Sequence, residues 1–539
     1  MVLCDRADMI SHDQDESSRY TDSIRVPPAR TSWAQLKKMN AFLRRLLDGA
    51  GIAALVLYPM YQTASLRPWS LRMHSPLPLT DFALALVTNL LLVTLFGAIL
   101  WTWIGPTRVG EWVRICLPAL YAAGVLEGIY LYQTDSPDYR YFLRILVVTL
   151  LLVLALRLFW PTAHHWVQEI RRAVGVGLAV FFVFVLVQLV RLAFWHPPQT
   201  IVANAAAADA RSSASRPRVI WILMDELSYN QVFGERAAGL DLPNFDALRQ
   251  VSTLYTDVAP VTELTETAVP SLLEGRPFTQ VFDTDDNHVL LAAEGEPFSP
   301  FVASATPFAE AKRVGMTTGV VGWYNPYCSM LAPYVDHCYW TYQTLQPVVF
   351  LVGDGFWRNI EDAWMRYAIV LFPRLGERAL DDQRKVYEDL TGRAKGALED
   401  NQLDFVFLHL PLPHPPGFYD RKKAKFDASG HASYLDNLAL ADRTLGEFLP
   451  ILRASSRWDQ TSIVICGDHS WRTFLWIHSG HWTEEDAAAS HGGHFDPRPM
   501  LMVHQAGQTT AAAIDHPVSL LKAHEILGNL IRGQQAGAQ

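Results

Sequence analysis

Four ionisable side chains stand where two apolar runs stop. Val219-Ile220-Trp221-Ile222-Leu223-Met224 ends at Asp225 and Glu226, and Ser462-Ile463-Val464-Ile465-Cys466-Gly467 ends at Asp468 and His469. Both runs are apolar and β-branched, the pattern of buried strands. Ligands of open α/β sheets bind beyond such strand ends, so two strands that share an edge deliver carboxylates and an imidazole to one place, a donor set for a divalent cation. His469 fits a ligand better than a core residue, because a core strand would leave it and Asp468 without polar partners.

Residues 260–276 form a hydroxyl-rich loop that runs into a short apolar helix closed by Gly275. On one reading Thr262, Thr265 or Thr267 caps that helix; on the other, a threonine at the helix N-terminus is a nucleophile, with free amides and the dipole holding a transferring anion. His414, within Pro411-Leu412-Pro413-His414-Pro415-Pro416, is a turn residue or a site residue. His491 and His494 flank Gly492-Gly493 and stand open between ligand and solvated side chain. His478 and His481, with Trp471, Trp476 and Trp482, read as an insertion packed at a membrane interface or over the site.

These residues need a scaffold, and the chain supplies two regions. From 218 to 532 candidate strands (219–224, 317–321, 405–410, 462–466, 500–503) alternate with candidate helices (242–251, 307–313, 379–400, 433–455), which predicts an α/β domain with a mostly parallel central sheet. Half of the 539 residues are apolar and only 18% charged, and the apolar excess lies before residue 196. Runs at 82–104, 112–133, 141–160 and 174–195 are each long enough to cross a roughly 30 Å hydrocarbon layer, and a weaker fifth at 46–64 carries Asp48 and Pro59. An α-helical transmembrane bundle of about five spans is therefore expected at 41–196. Residues 1–40 read as a disordered cytoplasmic tail, 197–217 as a linker and 533–539 as a tail.

Arg25, Arg30, Lys37, Lys38, Arg44 and Arg45 precede the first span, which puts the N-terminus inside. An odd number of spans then puts the α/β domain outside; without the weak span the orientation reverses. The expected location is a multi-pass inner (plasma) membrane of bacterial type with a periplasmic catalytic domain. Export to an oxidising compartment would pair Cys328 with Cys338, the other cysteines lying in the tail (Cys4), a span (Cys116) and a core strand (Cys466). A net charge of −9 without a basic stripe argues against nucleic acid as a partner.

The order of acidic strand end, Thr followed by Leu272-Leu273-Glu274-Gly275-Arg276, late Gly467-Asp468-His469 and a later histidine-rich segment resembles the alkaline phosphatase superfamily, in its sulfatase-like branch. With the membrane region in front, it further resembles phosphoethanolamine transferases and the phosphoglycerol transferases of the lipoteichoic acid synthase type. The resemblance implies Thr265 as nucleophile, five before Pro270 and ten before Gly275. It also implies Asp225, Asp468 and His469 as metal ligands together with the Thr265 hydroxyl, and His414 as substrate residue. Glu226, His491 and His494 remain open as metal or substrate residues.

One or two divalent ions, zinc or manganese, are implied. So is transfer of a phospho-headgroup from a membrane phospholipid, through a phosphothreonine, to an envelope glycan or lipid acceptor. The alternatives are a phosphatase or phosphodiesterase with water as acceptor, and a non-catalytic membrane binding or signalling protein. Two departures stand out. The window Thr265-Glu266-Thr267-Ala268-Val269 lacks the Cys/Ser-x-Pro-x-Arg needed for formylglycine, and no cysteine brackets Thr265.

Overall fold

The computed structural model describes residues 41–66, 68–73, 75–134, 139–196, 216–283, 288–341, 355–371, 377–427, 432–478 and 481–535. The expected tail at 1–40, nearly all of the linker and the end of the chain fall outside them.

The N-terminal region is helical throughout: α1 (Ala41–Val56), α2 (Tyr58–Leu66), α3 (Pro68–Met73), α4 (Thr80–Ile104), α5 (Arg108–Thr134), α6 (Tyr139–Phe159) and α7 (Pro161–Ala193). By length and composition, α4 and residues Thr162–Ala193 of α7 are apolar enough to cross a membrane. The other three expected spans coincide with α1 and α2, α5, and α6, which do not meet that length and composition among the described residues. The first is split at Leu57, α5 opens with Arg108 and Glu111 and holds Pro118, and α6 carries Arg144 and Arg157. The outward side of α4 leaves Leu92, Phe96 and Trp103 exposed, more apolar surface than a water-facing helix normally shows.

The second region is built on an eight-stranded sheet: β1 (Arg218–Met224), β2 (Thr253–Tyr255), β3 (Thr318–Trp323), β4 (His337–Thr341), β5 (Phe405–Leu410), β6 (Thr461–Gly467), β7 (Leu501–His504) and β8 (Ala512–Ile514), in the order β8-β2-β7-β6-β1-β5-β3-β4. The five strands from β6 to β4 run parallel, and β7 is antiparallel to both of its neighbours. β1, β5 and β6 are buried along their whole length, which is why they read as continuous apolar runs. Separate apolar cores fill the two faces, one around Ile220, Ile222 and Leu408, the other around Trp221, Leu223 and Phe407. The alternation of side chains along one strand splits them in this way. Cys328 and Cys338 are disulfide-bonded, tying the turn after β3 to edge strand β4.

The parallel pairing of β1 with β6 has a direct consequence. Met224 lies opposite Gly467, so the residues that follow both strands emerge side by side at the carboxyl edge.

Candidate metal and nucleophile site

Asp225, Asp468 and His469 are fully buried at that edge, with one donor atom of each lying within 4.8 Å of the others. Asp468 Oδ1 accepts the backbone amides of Glu226 (3.2 Å) and His469 (2.9 Å). Asp225 Oδ2 accepts the Thr265 hydroxyl at 3.2 Å. The remaining oxygens, Asp225 Oδ1 and Asp468 Oδ2, accept no hydrogen bond. His469 Nδ1 lies 3.0 Å from the Ser470 carbonyl, an acceptor only, so Nδ1 carries the proton and Nε2 presents a lone pair. That lone pair faces Asp225 Oδ1 at 3.4 Å and Asp468 Oδ2 at 3.3 Å.

Three electron-pair donors thus converge with no proton between them, an arrangement that costs free energy unless a cation occupies the centre. Burial, and then the Asp468 charge, pushes the Asp225 carboxyl well above the usual range, and burial also raises Asp468. Burial and the Arg472 charge push His469 down to about 3, keeping it neutral and able to donate its lone pair. The donor set fits a divalent ion held by mixed oxygen and nitrogen ligands.

Thr265 is the first residue of α8 (Thr265–Glu274). Its hydroxyl lies 3.3 Å from His469 Nε2 as well as 3.2 Å from Asp225 Oδ2, so it borders the cluster. Leu264 before it is extended and supplies no side-chain cap, while Gly275 ends the helix in the left-handed conformation that glycine adopts without strain. The other capping candidates do less: Thr267 bonds Thr262 and the Leu264 carbonyl.

Glu226 belongs to a different network. It adopts a left-handed backbone (φ 67°), rare for a residue with a side chain. Its carboxylate is held by Arg472 Nε at 2.7 Å and Trp476 Nε1 at 2.7 Å, and its carbonyl accepts the Tyr434 hydroxyl at 2.8 Å. Glu226 therefore turns away from the three-residue cluster and supports the turn that presents Asp225. Gly467 packs against that turn: a Cβ there would come within 2.6 Å of the Leu227 carbonyl oxygen, so a side chain would push the two strand ends apart. Trp471 and Trp476 are buried in this support, Trp471 stacked on Tyr434.

Arg472 is the residue that sequence inspection passed over. It is buried, pairs with Glu226, and donates through Nη1 to the Glu263 carbonyl at 3.2 Å, fastening the β6 end to the loop before Thr265. The only signal was its place three residues after His469. We expect Arg472→Ala to destabilise the domain by about 3–5 kcal/mol, because it strands a buried carboxylate. Thermal unfolding checks this, and Arg472→Ala/Glu226→Gln should recover much of the loss.

His414 is half-buried, and its ring lies 5.3 Å from that of Trp323. Nδ1 donates to the Pro415 carbonyl at 2.6 Å, and Asn437 clamps the turn by donating to the carbonyls of His414 and Pro416. Burial, then the Arg472 charge, holds His414 well below its ordinary value. It is therefore neutral, with Nε2 as an acceptor, which suits positioning a hydroxyl rather than protonating a leaving group. His491 is exposed and its Nε2 pairs with Glu235 at 2.9 Å, and His494 is exposed; neither enters the cluster. His409, on β5, is fully buried and hydrogen-bonded to the Tyr327 hydroxyl at 2.6 Å, and burial lowers it to about 4.

Residues 311–518 match the sulfatase family model, a segment that contains His414, Asp468 and His469. That segment, less than half of the chain, is similar to sulfatases. Solved structures with related folds include a phosphonate monoester hydrolase of Agrobacterium radiobacter (16% identity, 59% of this chain and 74% of that one, TM-score 0.36). Another is an alkaline phosphatase superfamily protein from Vibrio parahaemolyticus (16%, 59% and 66%, TM-score 0.36). A third is the PsFucS1 sulfatase from Pseudoalteromonas sp. (15%, 60% and 70%, TM-score 0.39). At these scores the likeness says nothing about substrate. A comparison with curated proteins returns no match. Asp225 and Thr265 precede the matched segment, and the sheet register and hydrogen bonds unite them with Asp468 and His469.

Proposed function

We propose that this membrane-anchored enzyme transfers a phospho-headgroup from a phospholipid to a cell-envelope acceptor, with Thr265 as covalent nucleophile and the α/β domain outside the cytoplasm. The observation that carries the reading is the Thr265 hydroxyl at the start of α8, 3.2 Å from Asp225 Oδ2 and 3.3 Å from His469 Nε2. A threonine there replaces the formylglycine precursor of true sulfatases and favours phosphoryl over sulfuryl chemistry. A divalent ion held by Asp225, Asp468 and His469 would supply Lewis acidity and neutralise phosphate charge.

In the first step Thr265 gives its proton to solvent, its Oγ1 forms a bond to phosphorus, and the phosphorus–oxygen bond to the lipid glycerol breaks. The departing diacylglycerol oxygen takes a proton from solvent. The dipole and amides of α8 favour the anionic group. In the second step an acceptor hydroxyl held by His414 Nε2 attacks phosphorus and gives its proton to solvent, the bond from phosphorus to Thr265 Oγ1 breaks, and Oγ1 takes a proton from solvent to leave as a free hydroxyl. Water in place of the acceptor gives hydrolysis with the same residues.

Two features support a lipid donor. Leu264, Phe474, Leu475 and Ile477 are exposed apolar side chains on the two segments that Arg472 fastens together beside Thr265. The chain also carries helices suited to a membrane. The headgroup reading favours an amine: Glu266 follows the nucleophile directly, with the Tyr324 hydroxyl 3.5 Å from Oε2, and Tyr324 lies 5.4 Å from the Trp323 ring. A carboxylate beside aromatic faces suits an ammonium better than a glycerol.

We expect Glu266→Gln to raise KM for an ethanolamine donor about tenfold, the equivalent of 1.4 kcal/mol, with little change for a glycerol donor. The reading is tested by incubating the full chain in vesicles containing labelled phosphatidylethanolamine or phosphatidylglycerol. Metal-dependent release of diacylglycerol is the expected result, with the headgroup on an added hydroxyl acceptor for a transferase and free in water for a hydrolase. Intact lipid alongside turnover of sulfate esters would overturn it.

A further inference from the structure

A helix of the α/β domain lies against the membrane helices. α9 (Phe356–Leu371) follows edge strand β4 in the chain yet packs on α4. Ala363 joins the apolar cluster of Phe82, Ala83, Leu86 and Leu90, and Trp364 Nε1 donates to Asn89 Oδ1 at 3.0 Å. Asn89 is only 2% exposed and is an amide side chain on a mostly apolar helix, where such residues mark specific contacts. It lies about 13 Å along the axis from Thr80, at 1.5 Å per residue.

The end of α4 that α9 approaches is fixed by two bonds. Thr80 Oγ1 donates to the Ala193 carbonyl at 2.7 Å, and the Leu79 amide to that of Trp195 at 3.4 Å. The start of α4 and the end of α7 are therefore level, at the side from which the chain continues to β1. α9 consequently lies along the half of α4 nearest the α/β domain.

α9 is amphipathic. Trp357 and Trp364, two turns apart, are 78% and 43% exposed on one side, while Arg358 and Asp362 form an ion pair at 2.9 Å on another. Exposed tryptophans on a helix with a charged opposite face settle at the boundary between headgroups and acyl chains.

We propose that α9 is a membrane-seated helix carried by the catalytic domain, with Trp357 in the headgroup layer of a phospholipid bilayer and Trp364 held against Asn89 of α4. Seated there, it ties the sheet edge at β4 to the leaflet and restricts how far Thr265 can move from it. The inference rests on α4 crossing a membrane and is independent of the donor chemistry.

The test uses the full chain in nanodiscs of phosphatidylethanolamine and phosphatidylglycerol, in a Cys4→Ser/Cys116→Ser background. Single cysteines replace Trp357 (Trp357→Cys), Phe96 on α4 (Phe96→Cys) and the exposed Lys425 (Lys425→Cys), each labelled with a small fluorophore and measured with lipids bearing a nitroxide on the acyl chain. All three are surface positions, so the fold tolerates the changes. The label at 357 should be quenched about twofold or more by nitroxide near the headgroup, and the label at 425 unaffected. Quenching at 96 but not at 357 would overturn the inference alone, pointing to protein or water over α9. Quenching at neither would overturn it together with the membrane reading of α4.

Discussion

Replacing Thr265 by alanine is expected to lower turnover of the lipid donor by about 10⁴–10⁶, the scale on which loss of a covalent nucleophile acts. Metal content should stay close to wild type, because Asp225, Asp468 and His469 remain. Folding should be nearly unaffected, since the hydroxyl caps nothing in α8. Thr265→Ser keeps an oxygen in place and should retain measurable activity, reduced by roughly the 10–100-fold that looser positioning costs. A structural role for Thr265 predicts another pattern: a lower melting midpoint for the alanine variant and no special rescue by serine. Steady-state turnover, bound metal and thermal unfolding of the three proteins decide between them.

Removing the metal should have the second largest effect. The buried carboxyls of Asp225 and Asp468 then face the His469 lone pair with only the more distant Arg472 charge to offset them. Chelation should abolish turnover and lower the melting midpoint, with zinc or manganese restoring both. At a free ion concentration about 100 times Kd the stabilisation is about 2.7 kcal/mol. Asp468→Asn gives a sharper test. It should weaken metal binding by roughly 100-fold or more, yet the metal-free variant should melt above metal-free wild type, because one of two crowded buried carboxyls is gone. A variant that melts lower than wild type in both states would mean that Asp468 serves the fold rather than an ion.

Much of the sheet was legible because its central strands are buried on both faces. The expected strands at 219–224, 405–410 and 462–466 appear as β1, β5 and β6 with at most a residue added at either end. The short strands β2, β4 and β8, at or next to the sheet edges, escaped notice, since three to five residues leave no periodic signature. The three-residue cluster was readable for a similar reason: carboxylates and an imidazole at the ends of core strands are costly to bury unless they bind something.

What the sequence hid were pairings across long separations. Glu226 looked like a fourth ligand because it adjoins Asp225, but its left-handed backbone turns it to Arg472, 246 positions on. Arg472 itself stood among aromatic residues that suggested only packing. The helix at 356–371 carries both charges and tryptophans, and only its contact with Asn89 shows where it lies. Of the expected spans, those at 82–104 and 174–195 meet the length and composition for crossing a membrane among the described residues.

The central claim is that Thr265 becomes covalently phosphorylated by a lipid headgroup. Peptide mass spectrometry of the full chain, quenched in acid during turnover of phosphatidylethanolamine with zinc or manganese, tests it most directly. The account predicts a phosphoethanolamine adduct on the peptide containing Thr265, absent from Thr265→Ala and after chelation. Sustained turnover with an unmodified Thr265, or an adduct on another residue that persists in the alanine variant, would contradict it.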